Sequence, residues 1–151
     1  MAHISSPDSP FSLDIDDATG LPCGLTVEDQ QGILSRELSV SLMAELGGTE
    51  RRHPTGGLLY ENTDSVHDIK STGKITRLHK GTYDEYQQDA TLGPLSLTLH
   101  YRLYPVAPYF EFATTIAPAQ TAVIRNFHIE IETQQLKGAT LNAPGNLLRR
   151  N

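Results

Sequence analysis

Residues 94–104 read PLSLTLHYRLY. Leu95, Leu97, Leu99, Tyr101 and Leu103 alternate with Ser96, Thr98, His100, Arg102 and Tyr104. A β-strand sends successive side chains to opposite faces, so this period of two predicts a strand with one apolar face in a core and one polar face outward. The following segments repeat the pattern. YFEFATTI (109–116) puts Phe110, Phe112 and Ile116 on one face, and NFHIEIET (126–133) does the same with Phe127, Ile129 and Ile131. Pro105 and Pro108 fall between the first two segments, where residues without an N–H cannot serve a sheet ladder. They predict a hairpin connection.

Upstream, RELSVSLMAEL (36–46) sets Leu38, Val40, Leu42, Ala44 and Leu46 on one face, with Gly47-Gly48 ending the run. Leu, Met, Ala and Glu also favour helices, but strict alternation favours the strand, because a helix collects its apolar residues at three- and four-residue steps. KITRLHKGTYDEYQQDATL (74–92) is polar on both sides, which predicts exposed or edge strands bent near Gly81. Residues 47–73, rich in glycine and polar side chains, predict one or two long loops joining sheets. Short strands separated by Gly, Pro, Asn and Asp, without β–α alternation or a fixed repeat, predict an all-β, antiparallel β-sandwich with little or no helix.

One domain is expected over residues 11–140. The preceding MAHISSPDSP lacks the charged-then-apolar order of a secretory signal and is expected to be a disordered leader or an expression scar. The exit segment 141–151 runs from a turn at Pro144-Gly145-Asn146 through Leu147-Leu148 to Arg149-Arg150. It either leads into a further domain of a longer parent chain or docks back as a tail.

A chain of 151 residues, 38% hydrophobic, suffices for one core. Acidic residues outnumber basic ones 18 to 12, for a net charge of −6, and the basic residues form short clusters such as Arg51-Arg52. Nucleic acids and anionic membranes need a concentrated positive surface, so neither is an expected partner. Cys23 is the single cysteine, which rules out an internal disulfide or a thiolate zinc cluster and is compatible with the cytoplasm. It sits in GLPCGL (20–25) without a neighbouring cation, so it reads as an inert small residue. No cofactor is expected.

The acidic stretch LDIDDATGLPCGLTVED (13–29) invites comparison with a calcium loop. An EF-hand needs oxygen ligands at its first, third and fifth positions, glycine at the sixth and glutamate at the twelfth. Counting from Asp14, the fifth position is Ala18, the sixth Thr19 and the twelfth Leu25. A hairpin accounts for the residues better. Phe11, Leu13 and Ile15 alternate with polar residues, Thr19-Gly20 supplies a turn, and Leu25 and Val27 open a returning strand. No metal site is expected.

The hairpin around DDATGLPCGL (16–25), together with the strand series in GPLSLTLHYRLYPVAPYFEFATTIAPAQTAVIRNFHIEIET (93–133), resembles the galactose-mutarotase-like supersandwich. Such domains precede the catalytic domain in many glycoside hydrolases and related polysaccharide-acting enzymes. The resemblance implies a non-catalytic N-terminal accessory domain that packs on or shapes the catalytic domain of the parent chain and contacts carbohydrate. Family members that epimerise sugars carry an Asn-His pair, and this chain has no such dipeptide.

Several residue groups compete with a purely structural reading. His128, Glu130 and Glu132 share one face of a strand, a spacing that could hold a metal or a proton-transfer pair. His100 and Arg102 share the outer face of another. If those strands were neighbours, His100, Arg102, Glu130 and Glu132 would form one charged patch. His100, Glu130 and Glu132 are therefore the catalytic candidates, and Arg102, His128, Tyr83 and Tyr86 the substrate-binding ones. Tyr60, Tyr104 and Tyr109 are further aromatic platforms in a chain without Trp. Two other functions stay open: a self-contained sugar-binding or mutarotase-like epimerase, and a structural or oligomerisation module joining identical chains through strand edges.

Overall fold

The computed structural model describes residues 1–29, 32–105, 109–117 and 122–133. The connection through Pro108, the end of the 11–140 domain and the whole exit segment 141–151 lie outside the described residues. The described residues form an all-β fold of two antiparallel sheets. The six-stranded sheet has the order β1 (Ala2–Ser5), β2 (Phe11–Ile15), β3 (Pro22–Asp29), β4 (Gly32–Arg52), β11 (Ile124–Thr133), with β5 (Leu58–Val66) also paired to β4. The five-stranded sheet has the order β10 (Phe110–Ile116), β9 (Leu95–Leu103), β8 (Asp84–Leu92), β6 (Ile69–Ser71), with β7 (Thr76–His79) also paired to β8.

One apolar cluster joins Leu13, Ile15, Leu42, Ala44 and Ile129 of the first sheet to Leu92, Leu95, Leu99, Tyr101 and Phe112 of the second. These are the inward rows that the period of two predicts, which makes the architecture a β-sandwich. Fully burying a leucine such as Leu13 or Leu99, each 0% exposed, contributes about 1.5–3 kcal/mol.

The acidic stretch forms the expected β2–β3 hairpin, with Leu13 opposite Leu25 and Phe11 opposite Val27. Asp16 Oδ1 accepts hydrogen bonds from the N–H groups of Ala18 (2.8 Å) and Thr19 (3.1 Å), and Gly20 takes φ +77°. This Asx turn uses the aspartate to supply backbone acceptors at a bend. The turn then docks on the second sheet, where the buried Tyr101 hydroxyl donates to the Gly20 carbonyl.

Four expectations are corrected. Residues 1–10 are not a disordered leader, because Ala2–Ser5 pair with β2, Ile4 enters the core at 3% exposure, and the Tyr86 hydroxyl donates to the Ser5 carbonyl. Residues 47–73 are not long loops. β4 continues through Gly47 and Gly48 to Arg52, turns at His53–Gly57 and returns as β5, followed by β6. The two glycines adopt φ +68° and +81°, which lets the strand twist on without a side-chain clash.

The segment 74–92 is also not all exposed or at an edge. β7 is exposed, but β8 lies inside its sheet, paired to β9 on one side and to β6 and β7 on the other. Three of its polar residues, Asp84, Glu85 and Gln88, are buried with partners. Asp84, 5% exposed, accepts from Ser6 Oγ (2.5 Å) and Arg77 (2.9 Å) and meets His79 Nδ1 at 3.1 Å. The Ser6 and His79 hydrogen bonds, aided by Arg77, outweigh burial and hold its carboxyl at about 2. Finally, β11 crosses to the first sheet and pairs with β4, so His100 and Arg102 on β9 are not neighbours of Glu130 and Glu132 and no single charged patch forms.

Candidate functional site

The alternation that turns Leu99, Tyr101 and Leu103 inward turns His100 and Arg102 to the outer face of the five-stranded sheet. Antiparallel register fixes their companions: Glu85 and Glu111 lie opposite Arg102 on either side, and Gln87 and Ala113 lie opposite His100. Arg102 Nε donates to Glu85 Oε1 at 2.5 Å and its terminal nitrogen bonds Glu111. His100 Nδ1 meets the other oxygen of Glu85 at 3.2 Å, and its Nε2 meets Thr115 Oγ1 at 2.7 Å. Gln87 donates a further bond to Glu85.

Glu85 is 2% exposed and His100 is 9% exposed, so the expected solvated outer face is here a closed polar cluster. Burial alone would raise the Glu85 carboxyl. Hydrogen bonds from Arg102, Gln87 and His100, with the Arg102 charge, more than offset it and hold the group at about 2. Burial likewise opposes the Arg102 charge, but its two carboxylate partners raise its pKa instead. Planar guanidinium geometry suits this bridging position, where a lysine ammonium would not span both acids in the same plane.

One step beyond the charged row lie three tyrosines. The Tyr83 and Tyr104 ring centroids are 5.0 Å apart, and those of Tyr104 and Tyr109 are 4.7 Å apart. Tyr109 is 47% exposed. Burial, with Glu111 nearby, pushes the Tyr104 phenol up. The outer face therefore carries an aromatic row flush against a charged row. Apolar area with a few fixed polar atoms suits recognition of a flat, hydroxylated ligand.

The structure thus brings together His100, Arg102 and Tyr83, with Tyr104 and Tyr109 beside them. Tyr86 is excluded, since it is half-buried beside the core and bonds Ser5. His128, Glu130 and Glu132 alternate with the inward residues of β11 on the other sheet. His128 and Glu130 line a depression of about 340 Å³ with Ser41, Met43 and His67, and His128 Nδ1 is buried without a hydrogen-bond partner among the described residues. Sheets stack about 10 Å apart, so His100 and Glu130, on opposite outer faces, cannot act on one sugar ring.

Of the acidic residues of the first hairpin, Asp14 meets His3 at 2.9 Å, Asp16 caps its turn and Asp17 pairs with the N-terminal amine. Among the described residues, no group of three or more His, Cys, Asp or Glu side chains is arranged to hold a metal ion. Cys23 is half-buried with its Sγ 3.5 Å from the Asp14 carbonyl, and burial followed by Asp14 and Asp16 raises its thiol, which agrees with an unreactive side chain. Tyr60 serves as a face for Arg125, 4.5 Å from its centroid.

Glu85, Glu111 and Thr115 were not singled out from sequence. The turn Gly93-Pro94 could have found the first of them: Leu92 opposite Leu95 sets a two-residue hairpin whose register carries Glu85 to Arg102. Comparison with known protein families, characterised proteins and solved structures finds no match.

Proposed function

We propose that this chain is a non-catalytic β-sandwich domain of a carbohydrate-active protein, similar to the accessory domains of the galactose-mutarotase-like class, and that it contacts glycan through the outer face of β8, β9 and β10. The observation that carries this reading is the row of mutually tilted rings Tyr83, Tyr104 and Tyr109 set against the Glu85–Arg102–Glu111 row. Aromatic rings pack on the C–H faces of sugars, while the partly exposed Arg102 and Glu111, held in place by the buried Glu85, are positioned to orient hydroxyls.

The buried carboxylate of this face does not suit the acid of a glycosidase. A glycosidase needs one carboxylic acid that keeps its proton near neutral pH, opposite a second carboxylate. Glu85 is held at about 2 and committed to Arg102, His100 and Gln87. Such a group holds a surface in shape but has no proton to give at pH 7.

Affinity electrophoresis through gels containing individual soluble polysaccharides tests the reading. At least one neutral or acidic glycan retards the chain, and Tyr104→Ala with Tyr109→Ala abolishes the retardation while leaving the circular dichroism spectrum unchanged. No retardation by any glycan, or an unaltered mobility shift in the double variant, would overturn the assignment. Release of reducing ends by the isolated chain would overturn its non-catalytic part.

A further inference from the structure

The outer part of the β4–β5 hairpin stands away from the sandwich. Thr49 pairs with Glu61, Glu50 with Tyr60, Arg51 with Leu59 and Arg52 with Leu58, and every residue from 48 to 62 is exposed. Arg125 lies over Tyr60 and 3.7 Å from Glu50 midway along this hairpin, but a two-stranded ribbon whose tip has no covered face is only marginally stable in water. This one nevertheless carries apolar side chains at its tip: Leu58 is 55% exposed and Leu59 is 46% exposed. At the base of the same arm lies an apolar groove of about 640 Å³ between the two sheets, lined by Leu46, Val66, Pro94, Ala122 and Val123, with Asp64 at its rim. Val123 is 51% exposed.

Tip and groove are separated by the five steps from Gly47 to Arg52, about 17 Å at about 3.3 Å per residue. Two arms lying side by side in opposite directions would therefore bring each tip to the other's base. Arg52, beside Leu58 at the tip, makes no ion pair among the described residues, and neither does Asp64 at the groove. The same antiparallel placement brings these opposite charges together.

We propose that two copies of this chain associate about a two-fold axis by crossing their β4–β5 arms. Leu58, on the same face of the ribbon as its cross-strand partner Arg52, fills the groove at Val123 of the other copy, and Arg52 of each meets Asp64 of the other. The contact is isologous, so one arm and one groove per chain satisfy both partners and the assembly closes at two. Each arm tip gains the cover that it lacks in the single chain.

Sedimentation equilibrium of the full chain tests this. The expected mass is twice 16.6 kDa. Leu58→Glu and Val123→Glu, both at exposed positions, each weaken the dimer at least about tenfold with an unchanged circular dichroism spectrum. Arg52→Asp weakens it as well, and adding Asp64→Arg restores it. A mass of 16.6 kDa at every concentration up to about 1 mM, the weak end of specific association, would overturn the proposal. So would a dimer indifferent to both glutamate substitutions.

Discussion

Replacing Glu85 with glutamine tests whether the outer-face cluster stabilises the fold through ionised pairing. The carboxyl is nearly sealed from water and moves from an ordinary 4.5 to about 2 in the folded chain. At about 1.36 kcal/mol per unit, that gap makes the ionised form worth about 3 kcal/mol of stability at pH 7. Because the folded pKa is depressed, this contribution is present in full above the unfolded value and is lost as pH falls through the folded one. About half is gone by pH 3, and nearly all by pH 2. Glutamine keeps the shape of the carboxylate but not its charge, and so stands in for the neutral, protonated acid. Urea unfolding followed by circular dichroism should place Glu85→Gln about 3 kcal/mol below the parent at pH 7 and about 1.5 kcal/mol below it at pH 3. A deficit that stays the same between the two pH values would refute the reasoning, since it would assign the loss to packing alone.

Tyr101→Phe strands the Gly20 carbonyl, which should cost about 1–3 kcal/mol and lower Tm by about 2–4 °C per kcal/mol in a thermal melt. Gly20→Ala combines a left-handed φ of +77° with a Cβ only 2.8 Å from Leu99 Cδ1, so a loss of about 1–3 kcal/mol is expected by urea titration. If β1 belongs to the core, Ile4→Ala at a 3% exposed position should lose about 2–4 kcal/mol; a loss below about 0.5 kcal/mol would mean the strand is a loose leader after all. By contrast Asp14→Asn, which breaks only the exposed pair with His3, should change stability by no more than about 0.5 kcal/mol.

The strands with one buried face were legible because burial imprints a period of two, as in residues 95–103 and 38–46. The β4–β5 arm was not legible, because both of its faces meet water and nothing forces its apolar residues to alternate. Leu58, Leu59 and Tyr60 are consecutive, a pattern that no half-buried strand would produce. β8 misled for the opposite reason. Its buried residues include Asp84, Glu85 and Gln88, so polarity suggested exposure when partners on other strands had made burial tolerable. His100 and Arg102 were identified by residue type and strand face, but their partners depended on register. The register of β9 against β8 was available from the Gly93-Pro94 turn, whereas the crossing of β11 to the far sheet left no local trace.

β4 is also the place where the time course of synthesis meets the fold. Its middle pairs with β11, Leu46 beside Ile124 and Leu38 beside Thr133. About 80 residues separate the appearance of Arg52 from that of Thr133, roughly 4–16 s at about 5–20 residues per second. For that interval β1 to β4 can zip together as a meander, while the row Leu38, Leu42, Ala44 and Leu46 waits on an open strand edge for both the facing sheet and its last neighbour. Non-local closure of this kind is slow for entropic reasons, so the nascent chain carries its most association-prone surface from early in translation until β11 arrives.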